Sequence, residues 1–440
     1  MKSKYLRNLF LVAVALLMVC QLGWAQSAAI PPDKTLAAKA VAAVQATGIP
    51  VPVVPFASIA AASKPAARPG VWLSRSLGAN PTLHTGEPSF CDFNNGSQVA
   101  LCPLGLQTAY SVKQIVGGNG GAGIVIAIVD AYAYSSAEAN LAQFNSDMGL
   151  PACTTANGCF TSVVMTGASD GTGSGWDLES MLDLEYAHAM APNAKLIYVQ
   201  AKDSSYEGLG AAVAVAAASA DIVSNSWIGE EITAYDSYWN VGKVLLFSSG
   251  DDASWPTKYY NVGYPCSALT VTCVGGTALH VNAKLQRTSE TGWSGAGGGC
   301  SLAETTPAWQ GRNGSGVCSP YRAAPDIAAI ADPNTPVAVY INNPEWSPGY
   351  YGVGGTSVAT PVSAGLVANI DTARVSFGKA KFTFLNQSLY NAAASNYNYF
   401  FYDVTSGNNG FAAGYQFDLV TGLGVSNGPA MANRFFGLIP

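Results

Sequence analysis

Short, unbroken apolar runs alternate with Ala-rich stretches from about residue 105 onward, and this alternation restricts the fold more than any other feature. The runs are IVIAIVD at 124–130, KLIYVQ at 195–200, DIVSNS at 221–226 and KVLLFSS at 243–249. Helical stretches fall between them, around 137–147, 175–190 and 207–219. A strand that is apolar on both faces must be covered on both faces. The order therefore predicts an α/β fold, a doubly wound, mostly parallel sheet with helices on both faces. Sites in such sheets gather beyond the carboxyl ends of the strands. With 440 residues, 49% of them hydrophobic, the chain can bury one large core or two ordinary ones.

The first 104 residues have a different texture. Lys2, Lys4 and Arg7 precede an apolar run from Leu9 to Val19, and small residues around Gly23 and Ala25 offer a cleavage site. Residues 1–25 thus read as an export signal, too short for a comfortable membrane span. Cys20 is a weak lipid-anchor candidate because bulky Val19 precedes it. Residues 26–104 are Ala- and Pro-rich without a strong period, which predicts an extended N-terminal extension, a short pro-segment at most. Of nine cysteines, Cys20 lies in the signal and eight remain. An even number suits disulfides in an exported protein. They stand as neighbours: Cys91 and Cys102, Cys153 and Cys159, Cys266 and Cys273, Cys300 and Cys318. Eight cysteines allow roughly a hundred connectivities, so neighbour pairing is one choice among many. The net charge is −6 with no basic cluster, which argues against nucleic acid. Only 11% of residues are charged, so the charge set changes little on acidification.

The residues able to do chemistry are few. GGTSVATP at 354–361 places a hydroxyl between two glycines and an Ala-rich helix. Ser357 there is either a helix cap or a nucleophile held where helix amides favour negative charge. A nucleophile needs a base, usually His, and the chain has three: His84, His188 and His280. His188 lies on the helix expected at 175–190, which Ser174 can cap and Pro192 stops. The same helix carries Glu179 and Asp183, which at roughly 100° per residue share one face about 40° apart. His188 falls about 140° from Asp183 and opposite Glu179. The two acids are either a solvated stripe or a proton-sharing pair, and the apolar neighbours Trp176, Leu178, Met181 and Leu182 favour the pair. Asp251 follows directly after the strand expected at 243–249, as a turn residue or a site residue.

These pieces together resemble the sedolisin family of serine-carboxyl peptidases. The likeness runs over 105–440 in order: Glu179-xxx-Asp183 with AHAMAP after it, SSGD at 248–251 and GGTSVATP at 354–361. YPCSALTVTCVGGT, ETGWSGAGGG and APDIAAIADP at 264–277, 290–299 and 324–333 support it. The resemblance implies a subtilisin-like fold and one peptidase domain at 105–440. It casts Ser357 as nucleophile, Glu179 as general base, Asp183 as its partner and Asp251 as oxyanion-hole donor. It further implies one structural Ca2+ held by Asp403, Asp418 and the carbonyls of Val404, Gly414 and Gln416. The implied protein is a secreted monomer that acts on proteins or peptides at acid pH, without a membrane after signal removal. The chain departs from the family in its short extension, in Ala253 and Gln416 where Gly is usual, and in Ile228 between Trp227 and Gly229. Two other readings use the same residues: a subtilisin-like triad of Asp130, His188 and Ser357, or a catalytically silent calcium-dependent binding protein. Asn95, Asn313 and Asn386 fit the glycosylation pattern.

Overall fold

Each of the four apolar runs forms a strand in the computed structural model, which describes residues 66–435 apart from 70, 79–82, 85–86, 89–90, 92, 95–96, 118, 254–261 and 312–314. All of these belong to one unit, residues 43–440. The export signal with Cys20, the greater part of 26–104, and Asn95 and Asn313 lie outside the described residues.

Two strands come first, β1 (Arg68–Pro69) and β2 (Trp72–Gly78). The main body then alternates strand and helix: β3 (Val125–Ala131), α1 (Ala137–Asp147), β4 (Phe160–Val164), α2 (Trp176–Met190), β5 (Lys195–Ala201) and α3 (Tyr206–Ser219). It continues through β6 (Ile222–Asn225), β7 (Trp227–Ile228), β8 (Val244–Ser248), β9 (Thr272–Val281), β10 (Arg287–Gly292) and β11 (Ile327–Ile330). A hairpin of β12 (Val337–Asn343) and β13 (Trp346–Gly354) leads into α4 (Thr356–Ser376). After α5 (Asn386–Phe400), β14 (Phe401–Tyr402) and β15 (Val425–Ser426) close the sheet.

The sheet has ten strands in the order β14-β15-β11-β9-β8-β6-β3-β5-β4, with β10 on β9. Its central pairs are parallel; only β14–β15 and β9–β10 run antiparallel. The period-2 alternation of side chains explains the double-sided core. Ile126, Ile128 and Leu246 join α2 and α4 in one apolar cluster. Ala127, Val129, Leu245 and Phe247, from the same strands, join α3 in another. Helix α2 is buried at all fifteen positions, so its acids are not the solvated stripe. It packs against α4 at close range: a Cβ at Gly365 would lie within 3 Å of Met190.

All four neighbouring cysteine pairs are disulfides, Cys91–Cys102, Cys153–Cys159, Cys266–Cys273 and Cys300–Cys318. Each closes a short loop. Asn386 is buried, donating to Val271 O at 2.8 Å and accepting from Thr272, so the folded chain does not present it for glycosylation. No helix among the described residues is long and apolar enough to cross a membrane.

Strands β1 and β2 come from the segment expected as an extension. β1 pairs antiparallel with β7, and β2 with β13, so this stretch is laid on the body of the fold.

Candidate active site

Ser357 stands on the first turn of α4, and the chain enters that helix through Gly355 at φ +120°, a conformation that favours glycine. The Ser357 hydroxyl donates to Ser226 O at 3.3 Å, just past the carboxyl end of β6. Ser226 faces both ways, because its own hydroxyl donates to Asp183 Oδ1 at 2.8 Å. One residue therefore ties the nucleophile to the acid pair. Sequence reasoning passed over it, although its position directly after a strand was a signal.

Glu179 and Asp183 share the inner face of α2, and both are fully buried. Burial raises the Glu179 pKa well above the ordinary carboxyl range, and the charges of Asp183 and Asp130 raise it further; contact with the Ser357 hydroxyl lowers it. Asp183 is raised by burial and by Asp130, against the Ser226 bond. Neither Glu179 oxygen has a hydrogen-bond partner among the described residues. Such looseness is usual before substrate arrives, and rotation of the Ser357 side chain would turn its hydroxyl from Ser226 toward Glu179.

Asp130, near the end of β3, is the third carboxyl of this cluster. Burial pushes it up to about 7, and the nearby Ser180 hydroxyl lowers it. Three buried carboxyls that interact cannot all be ionised, so their protons are held in common. Asp130 was expected, if anywhere, in a triad with His188, and that arrangement does not form. His188 lies nine residues beyond Glu179, about 13 Å along the helix. Its Nε2 bonds Pro151 O at 2.8 Å, beside the Cys153–Cys159 disulfide. Burial lowers its pKa.

Asp251 approaches Ser357 from the other side. Its Oδ1 accepts the Thr356 N–H at 2.7 Å and the Thr356 hydroxyl at 2.8 Å, while Oδ2 has no partner among the described residues. Burial pushes its pKa up to about 7, against the two Thr356 bonds and the charge of Arg68. Below that pH the carboxyl carries a proton, and the open Oδ2 is where it can be donated. Ala253, two residues on, sits at φ +64°. A side chain there costs roughly 1–2 kcal/mol, which explains why Gly is the usual occupant.

A peptide-like strand already lies beside these groups. Arg68 pairs with Ile228 and Pro69 with Trp227. On the opposite flank the Ala67 N–H donates to Ser204 O at 2.8 Å. Trp72 then pairs with Gly354, three residues before Ser357. Arg68 also forms an ion pair with Asp252.

The residues expected to hold calcium share one loop region. Tyr397 donates to Asp403 Oδ1 at 2.8 Å, and both Asp403 and Asp418 add to the burial that raises its pKa. The Gly414 N–H donates to Asp418 Oδ2 at 3.0 Å and the Gln416 N–H to Asp403 Oδ1 at 3.1 Å. Two carboxylates in one loop supply oxygen donors, the kind a hard cation prefers. Gln416 sits at φ +66°, which again accounts for glycine as the usual residue.

Buried carboxyls with raised pKa values make the fold's stability depend on pH. Asp130 and Asp251 titrate near 7 instead of 3.8, because burial penalises the charged form. Each therefore contributes stability that is complete below about pH 4 and lost as pH rises through about 7. For Asp251 the size is on the order of 4 kcal/mol, and Asp130, which shares protons with Glu179 and Asp183, acts in the same direction. The melting temperature is expected to be on the order of 10 °C lower at pH 8 than at pH 4. A flat or rising melting curve over that range, followed by circular dichroism, would contradict these environments.

Residues 160–437 match the Subtilase family. Kumamolisin of Bacillus sp. is 30% identical over 410 residues, covering 82% of this chain and 67% of that protein. Sedolisin of Pseudomonas sp. is 27% identical over 390 residues, covering 78% and 62%. Human tripeptidyl-peptidase 1 is 30% identical over 224 residues, covering 43% and 37%. Among solved structures, Pseudomonas sedolisin, a serine-carboxyl proteinase complexed with two molecules of pseudo-iodotyrostatin, superposes with a TM-score of 0.65. At 23% identity it covers 78% of this chain and all of that one, and shares the fold.

Proposed function

The chain belongs to the sedolisin family of subtilisin-like serine peptidases, and from that premise we propose that it is a secreted, acid-acting serine-carboxyl peptidase. The observation that carries this reading is the convergence of Ser357, the Glu179–Asp183 pair and an Asp251 oxygen without a partner among the described residues, at the carboxyl ends of parallel strands.

In this reading the Ser357 oxygen attacks the substrate carbonyl carbon while Glu179 takes the hydroxyl proton. The carbonyl oxygen becomes an oxyanion and accepts a hydrogen bond from protonated Asp251. Glu179 then gives its proton to the leaving amine, and an acyl-Ser357 remains. Water, deprotonated by the same carboxyl, attacks the acyl group and frees Ser357. Asp183, held by Ser226, shares the proton and orients Glu179, as the third member of a triad does. Acid operation follows from Asp251, which is acceptor-only once ionised. Export rests on the basic and apolar start of the chain, and the four disulfides agree with an oxidising compartment.

The silent-binder reading leaves this arrangement without a use. Incubating the secreted protein with a denatured protein at steps from pH 3 to 7, beside Ser357→Ala, tests the choice. Cleavage that requires Ser357 supports the peptidase, and cleavage by neither protein sinks it.

The reading includes one structural Ca2+ at Asp403, Asp418 and the carbonyls of Val404, Gly414 and Gln416. A bound cation would cross-link the 403–418 loop, remote in sequence from the reacting groups. Chelation is expected to lower the melting temperature of the wild type, and Asp403→Ala to melt identically with calcium and with chelator. Equal melting of the wild type in both would remove the metal from the account.

A further inference from the structure

We propose that Ile228 is a specificity-determining residue. It fills the recess beside the nucleophile that would otherwise take the side chain preceding the cleaved bond, so the protein cuts after Gly and Ala and spares bonds after large residues. This rests on the peptidase reading.

Successive residues of β7 point to opposite faces. Trp227 turns into the apolar core, with its ring 4.9 Å from that of Phe247. Ile228 therefore turns the other way. It is only 6% exposed, yet it belongs to none of the apolar clusters. Its neighbours are two glycines instead. A Cβ at Gly250 would lie 2.7 Å from Ile228 Cδ1, and one at Gly263 would overlap that side chain outright. Without the Ile228 side chain, these facing glycines would leave an open slot between β7, the end of β8 and the 263 segment.

That slot lies beside the reacting groups. Gly250 directly precedes Asp251, and its N–H bonds the Thr356 hydroxyl at 3.0 Å. Ser226, whose carbonyl accepts from Ser357, is two residues before Ile228. The chain's own strand shows how a peptide passes: Arg68 opposite Ile228, Pro69 opposite Trp227, and Trp72 beyond Ser357 opposite Gly354. A peptide on that path presents the residue after its Pro69 equivalent near Ser357.

One methylene gained or lost in an apolar pocket is worth roughly 10- to 200-fold in kcat/KM. Ile228→Gly is thus expected to raise kcat/KM for bonds after Leu or Phe by on the order of 100-fold relative to bonds after Ala. The test digests a denatured protein of known sequence with wild type, Ile228→Gly, Ile228→Ala and Ser357→Ala, and maps every new terminus by mass spectrometry. New wild-type termini confined to positions after Gly and Ala, joined in either Ile228 variant by cuts after Leu, Phe and Tyr, are the expected result. Ile228→Ala serves if the glycine variant does not fold. Wild-type cuts after Leu or Phe would overturn the role of Ile228 and leave the peptidase intact, as would a folded, active variant with unchanged preference. Absence of any Ser357-dependent terminus would instead sink the peptidase reading, and this role with it.

Discussion

Ser357→Ala is expected to lower kcat/KM on a denatured protein at acid pH by about 10⁴-fold or more, and Glu179→Ala to come close to it. Both groups act in one event, transfer of the Ser357 proton as its oxygen attacks. Removing either removes the event, so the double variant is expected to be little worse than either single one. Independent losses that multiply would contradict a shared step, because separate contributions add in free energy. The comparison requires folded variants, and truncating Glu179 is the safer test because it removes a buried carboxyl with no hydrogen-bond partner among the described residues. His188→Ala sets the contrast: its ring bonds Pro151 O, and its loss is expected to leave most activity in place. A His188 variant as inactive as Ser357→Ala would restore a histidine base.

The parallel sheet was legible because its strands are apolar on both faces, and that pattern belongs to the residues themselves. Glu179 and Asp183 were legible because helical geometry fixes their relation over four positions. The cysteine pairing was one choice among many in the sequence, and only the fold shows neighbours joined, closing loops of 6 to 18 residues. What the chain hides is contact between distant edges. Asp130 joins the acid pair only because α2 packs across β3, which no local period reveals. Ser226 matters through Asp183, 43 residues away. The stretch from Ala66 to Gly78 lacks a helical or strand period of its own. It becomes two strands by pairing with β7 and β13, far along the chain. Ile228 was visible as a residue out of place, but its consequence depends on two glycines it meets only in the fold.

Asp251→Ala is expected to cost about 100- to 1,000-fold in kcat, the usual loss when an oxyanion donor is removed. The partners it abandons, the Thr356 N–H and hydroxyl, are buried, so the loss in rate is read only on a variant that circular dichroism shows to be folded. Asp251→Asn is more informative, because an amide donates a hydrogen bond at every pH. In the wild type two conditions must hold together: the acid cluster must have lost a proton, and Asp251 must have kept one. The rate then follows a bell whose limbs belong to the whole set of carboxyls on the low side and to Asp251 on the high side. With Asp251 pushed up to about 7 by burial, wild-type activity should fall as pH passes that value.

The central claim, that a protonated carboxyl at Asp251 stabilises the oxyanion, is tested most directly by kcat/KM from pH 3 to 9 for wild type and Asp251→Asn, over the range where both stay folded. The account predicts that the wild type loses activity above about pH 7 while the Asn variant, slower at its best, shows no such fall. An Asn variant that keeps the wild-type fall above that pH would contradict it.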